Sequence, residues 1–135
     1  DAFSDFHYEI LEARLDGALV TTSGFGTWSP ALLAAVHGAD VLLRTWGDGF
    51  GFALVATGRA DVMLDPTVAR WDVAPMPLVL REAGGRFTDL GGRERATGGS
   101  GLATAGPLHD EVLALVATSR SAVGGEARNE AGGAG

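Results

Sequence analysis

The chain has 135 residues, 46% of them apolar, with 17 acidic against 10 basic side chains and a net charge of −7. That length suits one domain with a real core, and the acidic balance argues against nucleic acid, where basic patches supply most of the affinity. There is no Cys and every basic residue is Arg, which removes disulfides, thiol nucleophiles, Cys-ligated zinc, a Walker-type lysine and Schiff-base chemistry.

Residues 1–17, DAFSDFHYEILEARLDG, form a mixed lead segment, either a short helix or the tail of something upstream. They lack the basic n-region of a signal peptide, and no apolar run approaches the roughly 20 residues of a membrane span, so a cytoplasmic protein without membrane contact is expected. The first residue is Asp rather than Met, which reads as a processed or truncated piece. From Ala18 the pattern becomes regular. ALVTTSG reads as a β-strand closed by Gly24, and SPALLAAVHGA as a helix with Ser29 at the N-cap, Pro30 in the first turn and Gly38 as the stop.

DVLLRTW reads as a short buried strand running into the turn GDG, and FGFALVATG as an apolar helix ending at Gly58. ADVMLDP is a third strand ended by Pro66, and WDVAPMPLVLREAGG a helix stopped by Gly84 and Gly85. RFTDLGG is a strand and turn, and GLATAG another strand. LHDEVLALVATS is a closing helix with Leu108, Val112, Leu115 and Val116 on its apolar face. Residues 119–135, glycine-rich and poor in apolar side chains, are expected to be a disordered tail. Alternating strands and helices argue for an α/β layer, and no internal repeat is present.

Four residues are candidates for a site. Asp72 opens the helix that ends in Glu-Ala-Gly-Gly. As a carboxylate near a helix N-terminus it contributes about 0.3–1 kcal/mol, or it ligates a hard cation where α/β proteins bind ligands. Asp65 lies seven residues upstream across the strand-to-helix connection, close enough for a loop to bring both carboxylates to one site. Arg44 closes an apolar strand, either as a surface residue or as a cationic fork for phosphate or carboxylate. Asp48 lies in the loop GDGFG, which is not a dinucleotide motif because Phe52 replaces the third glycine. His7, His37 and His109 have no spacing suited to a metal and read as surface or capping residues, and no G-x-S-x-G elbow exists.

Trp71, Asp72, Ala74, Glu82, Ala83, Gly84 and Gly85 match the W-D-x-A, apolar helix, E-A-G-G signature of a known superfamily. The chain from about Ala18 to Thr118 resembles the C-terminal half of the inositol monophosphatase-like superfamily of magnesium-dependent phosphatases. Within it, RTWGDGFGFALVATGRADV and REAGGRFTDLGG are most similar to the bacterial histidinol-phosphate phosphatase branch. The resemblance implies an α/β fold, the C-terminal half of a layered α-β-α-β-α arrangement, with a mixed sheet flanked by helices. It implies Mg²⁺ as cofactor, a small phosphorylated substrate and a homodimer as in relatives. Asp72 would be a Mg²⁺ ligand that also touches the substrate, Arg44 would contact substrate, and Asp48 and Asp65 would face its alcohol portion. No catalytic residue is expected in this half.

The family's Gly-Glu-Glu and D-P-[LI]-D-G-T segments are missing, and LDPT at residues 64–67 is not the latter. One carboxylate does not complete a Mg²⁺ shell, so the chain alone is expected to be inactive. Pro75 and Pro77 stand where relatives carry helix formers, with Pro77 expected to distort the second turn. Ala105 replaces an Asn common in relatives. The alternatives are a related enzyme for another small phosphomonoester, or a non-catalytic remnant serving as a binding module.

Overall fold

Period-two alternation along the strands sorts their side chains onto two faces, and the helices cover both. The computed structural model describes residues 15–45, 50–69 and 73–132. In chain order the elements are β1 (Leu19–Thr22), α1 (Pro30–His37), β2 (Leu42–Thr45), α2 (Phe50–Ala56), β3 (Val62–Asp65), α3 (Met76–Glu82), β4 (Arg86–Thr88), β5 (Gly101–Thr104) and α4 (His109–Gly132). The five strands form one sheet in the order β2-β1-β3-β5-β4. β1 runs parallel to β2 and β3, whereas β5 runs antiparallel to β3 and β4. The mixed sheet flanked by helices is the arrangement that the sequence pattern and the resemblance imply.

On one face Val20, Val62, Leu64 and Leu102 pack against Leu32 and Val36 of α1, Val112 and Val116 of α4, and Leu108 just before α4. On the other, Met63, Phe87 and Ala103 meet Phe52, Leu54 and Val55 of α2 and Leu80 of α3. Each large apolar side chain buried in this way contributes about 1.5–3 kcal/mol. Phe52 and Phe87 stack edge to face with centroids 5.7 Å apart. Glycine allows α3 to approach the sheet: a Cβ on Gly85 would stand 2.5 Å from the Thr104 carbonyl oxygen.

Local signals read from the sequence hold for α1, where Ser29 Oγ accepts from the Leu32 amide and Pro30 occupies the first turn. Four expectations change. β2 is an exposed edge strand rather than a buried one, with Leu42 53% exposed, because only β1 pairs with it. α3 begins at Met76 with Pro75 at the N-cap, later than the start at Trp71 that the sequence suggests. Pro77 then falls in the first turn, where its missing N–H has no partner to lose, and the helix is not distorted. α4 continues through Gly132, past the boundary at residue 119 where a tail was expected. Alanine and charged helix formers such as Glu126, Ala127 and Arg128 favour that continuation.

His109 also departs from expectation, being fully buried rather than on the surface. Its Nε2 lies 2.7 Å from Thr88 Oγ1 and its Nδ1 2.9 Å from Thr104 Oγ1. Thr88 donates its only hydroxyl proton to the Asp89 carbonyl at 2.7 Å, so it accepts from Nε2–H. Nδ1 therefore accepts from Thr104, whose oxygen in turn accepts from the Gly106 amide at 3.1 Å. The result is a polarised chain from Gly106 through a neutral imidazole to Asp89. Burial pushes the ring down to about 4, with the Arg86 charge adding to the effect and Asp110 opposing it.

Candidate active site

Open α/β sheets bind ligands outside the carboxyl ends of the strands, where chain connections diverge to opposite sides. Here β1 leads through α1 to β2 on one side, and β3 leads through α3 towards β4 on the other. α1 and α3 lie on opposite faces of the sheet. The crevice therefore falls between the carboxyl ends of β1 and β3, which carry Thr22, Ser23 and Asp65.

Asp65 is 5% exposed. Its Oδ1 accepts from Thr22 Oγ1 and from the Ser23 amide, each at 2.8 Å, and its Oδ2 accepts from Ser23 Oγ at 2.6 Å. Trp28 Nε1 donates to Thr22 Oγ1 at 3.0 Å and braces the same hydroxyl. Short, charge-assisted bonds of this kind are among the stronger ones. All three donors to the carboxylate are neutral, and among the described residues no cation pairs with it. The carboxylate thus ties β1 to β3 and leaves its negative charge at the crevice.

Arg44, one residue before the end of β2, is in register with Thr21 of β1. It is exposed, and its Nη1 donates to the Leu43 carbonyl at 2.9 Å. Two strand spacings, roughly 10 Å, separate β2 from β3, so Arg44 and Asp65 flank one end of the sheet without touching. Asp48 and Asp72 lie outside the described residues. Among the described residues no group of three His, Asp or Glu side chains is placed to hold a metal ion. They do not by themselves satisfy Mg²⁺, which takes near-octahedral oxygen coordination.

A second buried carboxylate, Asp89, lies just beyond β4 at the same end of the sheet and is 2% exposed. Oδ1 accepts from the amides of Gly91 and Arg93 at 2.9 and 3.0 Å, and Oδ2 from Arg95 Nε at 2.5 Å. Burial acts to raise its pKa, but the Arg95 hydrogen bond and charge and the two amides together hold it below the ordinary value. Neither Asp89 nor the Thr22–Ser23 pair stands out in the sequence. The only local signals are the T-T-S-G and T-D-L-G-G turns after strands, since an Asp two residues before an amide commonly closes a turn on itself.

The sequence and the fold have counterparts among known proteins. The profile of the Inositol monophosphatase family matches residues 25–123. The chain belongs to the inositol monophosphatase family. It is 42% identical over 105 residues to "Histidinol-phosphatase" of Mycobacterium tuberculosis, a match covering 75% of this chain and 40% of that protein. It is 44% identical over 64 residues to "Histidinol-phosphatase" of Chlorobaculum parvum, covering 47% of this chain and 25% of the relative. The chain thus spans less than half the length of these curated relatives. Among solved structures, the Thermotoga maritima IMPase superposes with a TM-score of 0.71 at 24% identity, covering 82% of this chain and 44% of that one. That likeness shows the shared fold, and members of the family are generally metal-dependent.

Proposed function

We propose that the protein carrying this chain hydrolyses a small phosphomonoester with Mg²⁺, and that the substrate is histidinol phosphate, in histidine biosynthesis. The observation that carries this reading is the 42% identity, over three quarters of the chain, to a relative named histidinol-phosphatase. Mg²⁺, when bound, supplies the clamp on the phosphate and the activation of a water for in-line attack. Asp72 is this chain's own candidate Mg²⁺ ligand and also a substrate contact. Arg44, at the open end of β2, offers a cation for the phosphate, and Asp48 and Asp65 face the alcohol portion. The uncompensated charge of Asp65 supports that assignment, because the amine and imidazole of histidinol can each be positive.

The test is kinetic. Asp48→Asn and Asp65→Asn should weaken kcat/KM for histidinol phosphate far more than for a neutral phosphomonoester, and unchanged kinetics would remove the electrostatic argument. A second reading, a different small phosphomonoester, is favoured by the breadth of the family match, and competition between substrates separates the two. A third reading is a non-catalytic module. We also expect these 135 residues alone to be inactive, because one carboxylate does not complete a Mg²⁺ shell. A magnesium-dependent phosphatase assay on the isolated chain, compared with an intact relative, decides between activity and its absence.

A further inference from the structure

The Asp89 carboxylate is the hub of the loop joining β4 to β5. Besides Gly91, Arg93 and Arg95, which all donate to its side chain, its backbone amide donates to the Arg93 carbonyl at 2.8 Å, and its carbonyl accepts from the Gly92 amide at 3.1 Å. The neighbouring Leu90 amide donates to Ser100 Oγ at 2.9 Å, which closes the far end of the loop. Gly98 lies directly against the carboxylate, and a Cβ there would stand 2.5 Å from Oδ2. Burying a full charge is costly unless it is paired and hydrogen-bonded, and here two amides and a guanidinium converge on it.

What this hub holds is the exit of β3. The loop's last turn presents the Gly99 carbonyl to the Val68 amide at 2.9 Å. Ala96 and Val68 both pack against the apolar cluster under α2 and α3. Gly101, which follows the loop, is paired in register with Asp65. Pro66 and Leu90 share the walls of a cavity of about 290 Å³ with Thr27 and Ser29, which follow β1. The exits of β1, β3 and β4 therefore meet at the crevice. An exposed Arg81–Glu94 ion pair adds a weaker tie from the loop to α3.

We propose that Asp89 is a positioning residue: by gathering the β4–β5 loop around its carboxylate, it holds the Gly99 carbonyl where the Val68 amide docks. That contact fixes the course of the chain just after β3, where Val68 lies three residues beyond Asp65. The link to chemistry rests on the function proposed above, whereas the brace itself does not. Small displacements remote from the reacting atoms can lower turnover by up to about 100-fold, so a loosened brace acts on the chemical step more than on substrate binding.

The experiment uses the intact protein with Asp89→Asn, Arg95→Met and Gly98→Ala, which disturb one contact from three sides. Hydrogen exchange at the Val68 amide is followed by NMR, and kcat and KM for histidinol phosphate are measured at fixed Mg²⁺. In each variant Val68 should exchange at least roughly tenfold faster, while amides in α1 stay protected. kcat should fall on the order of tenfold with KM changed by less than about twofold. Unchanged Val68 exchange overturns the brace, and faster exchange with wild-type kcat overturns the positioning role. If Asp89→Asn does not fold, the exposed Arg95→Met and the smaller Gly98→Ala change decide. If the wild-type protein hydrolyses no phosphomonoester, the functional reading fails by itself, and Val68 exchange still decides the brace.

Discussion

Acidification should unfold this domain through one side chain, His109, in a pH window set by its burial. The ring is held neutral between Thr88 and Thr104 and titrates at about 4 rather than 6.5. Between those values the unfolded chain binds a proton that the native ring refuses. Stability therefore rises with pH there, being fully present above 6.5 and lost as pH falls towards 4. Each pH unit corresponds to about 1.4 kcal/mol, so the neutral ring accounts for roughly 3 kcal/mol across the window, a large share of the 5–15 kcal/mol typical of a domain. Urea denaturation followed by far-UV circular dichroism, repeated from pH 7.5 to 4.5, measures the slope directly. In His109→Gln the slope between pH 6.5 and 4.5 should largely vanish, even though the variant starts less stable. Equal slopes in the two proteins, or an NMR titration of His109 near 6.5, would refute the assigned burial and tautomer.

Other outcomes follow from the same contacts. Thr104→Val removes both the donor to His109 Nδ1 and the acceptor of the Gly106 amide, and should cost about 1–3 kcal/mol in denaturant titration. Gly85→Ala drives a methyl to 2.5 Å from the Thr104 carbonyl and should lower the thermal midpoint by the equivalent of about 1–3 kcal/mol. Gly26→Ala meets nothing within 4 Å and should be neutral or stabilising by up to about 1 kcal/mol in the same measurement. Asp65→Asn keeps an acceptor for Thr22 and the Ser23 amide, and Ser23 Oγ can reverse to accept from the new amide. It should therefore fold with a loss of only about 1 kcal/mol, which lets its kinetics be read as a charge effect.

What could be read along the chain was local or periodic. Ser29, Pro30 and Gly38 mark α1 because capping chemistry acts within a few residues. The W-D-x-A to E-A-G-G spacing identified the superfamily, which the family match now shows. What escaped depends on partners far apart in sequence. β2 carries an apolar run like a central strand, and only the order β2-β1-β3-β5-β4 makes it an edge. His109 is interior because Thr88 lies 21 residues away. Both oxygens of Asp65 are engaged by residues more than 40 positions upstream, so its structural duty is invisible until β1 and β3 pair. Asp72 was read either as a carboxylate at a helix N-terminus or as a cation ligand because the apolar run follows it, whereas α3 begins at Met76, between the prolines at 75 and 77.

The two buried aspartates separate what the fold needs from what a ligand would meet. Asp89 has Arg95 against it, so its charge is cancelled within the loop it organises and projects little field beyond. Asp65 has only hydroxyl and amide donors, which solvate a carboxylate without neutralising it. A low-dielectric wall strengthens the field of such a group, and its position between β1 and β3 directs that field into the crevice. The cations at this end of the sheet stand apart from Asp65: Arg44 lies on the edge strand, Arg95 is engaged by Asp89, and Arg120 lines the cavity that Pro66 also walls. Under the function proposed above, the Asp65 charge would favour a phosphomonoester whose alcohol carries its own positive charge over one whose alcohol is neutral.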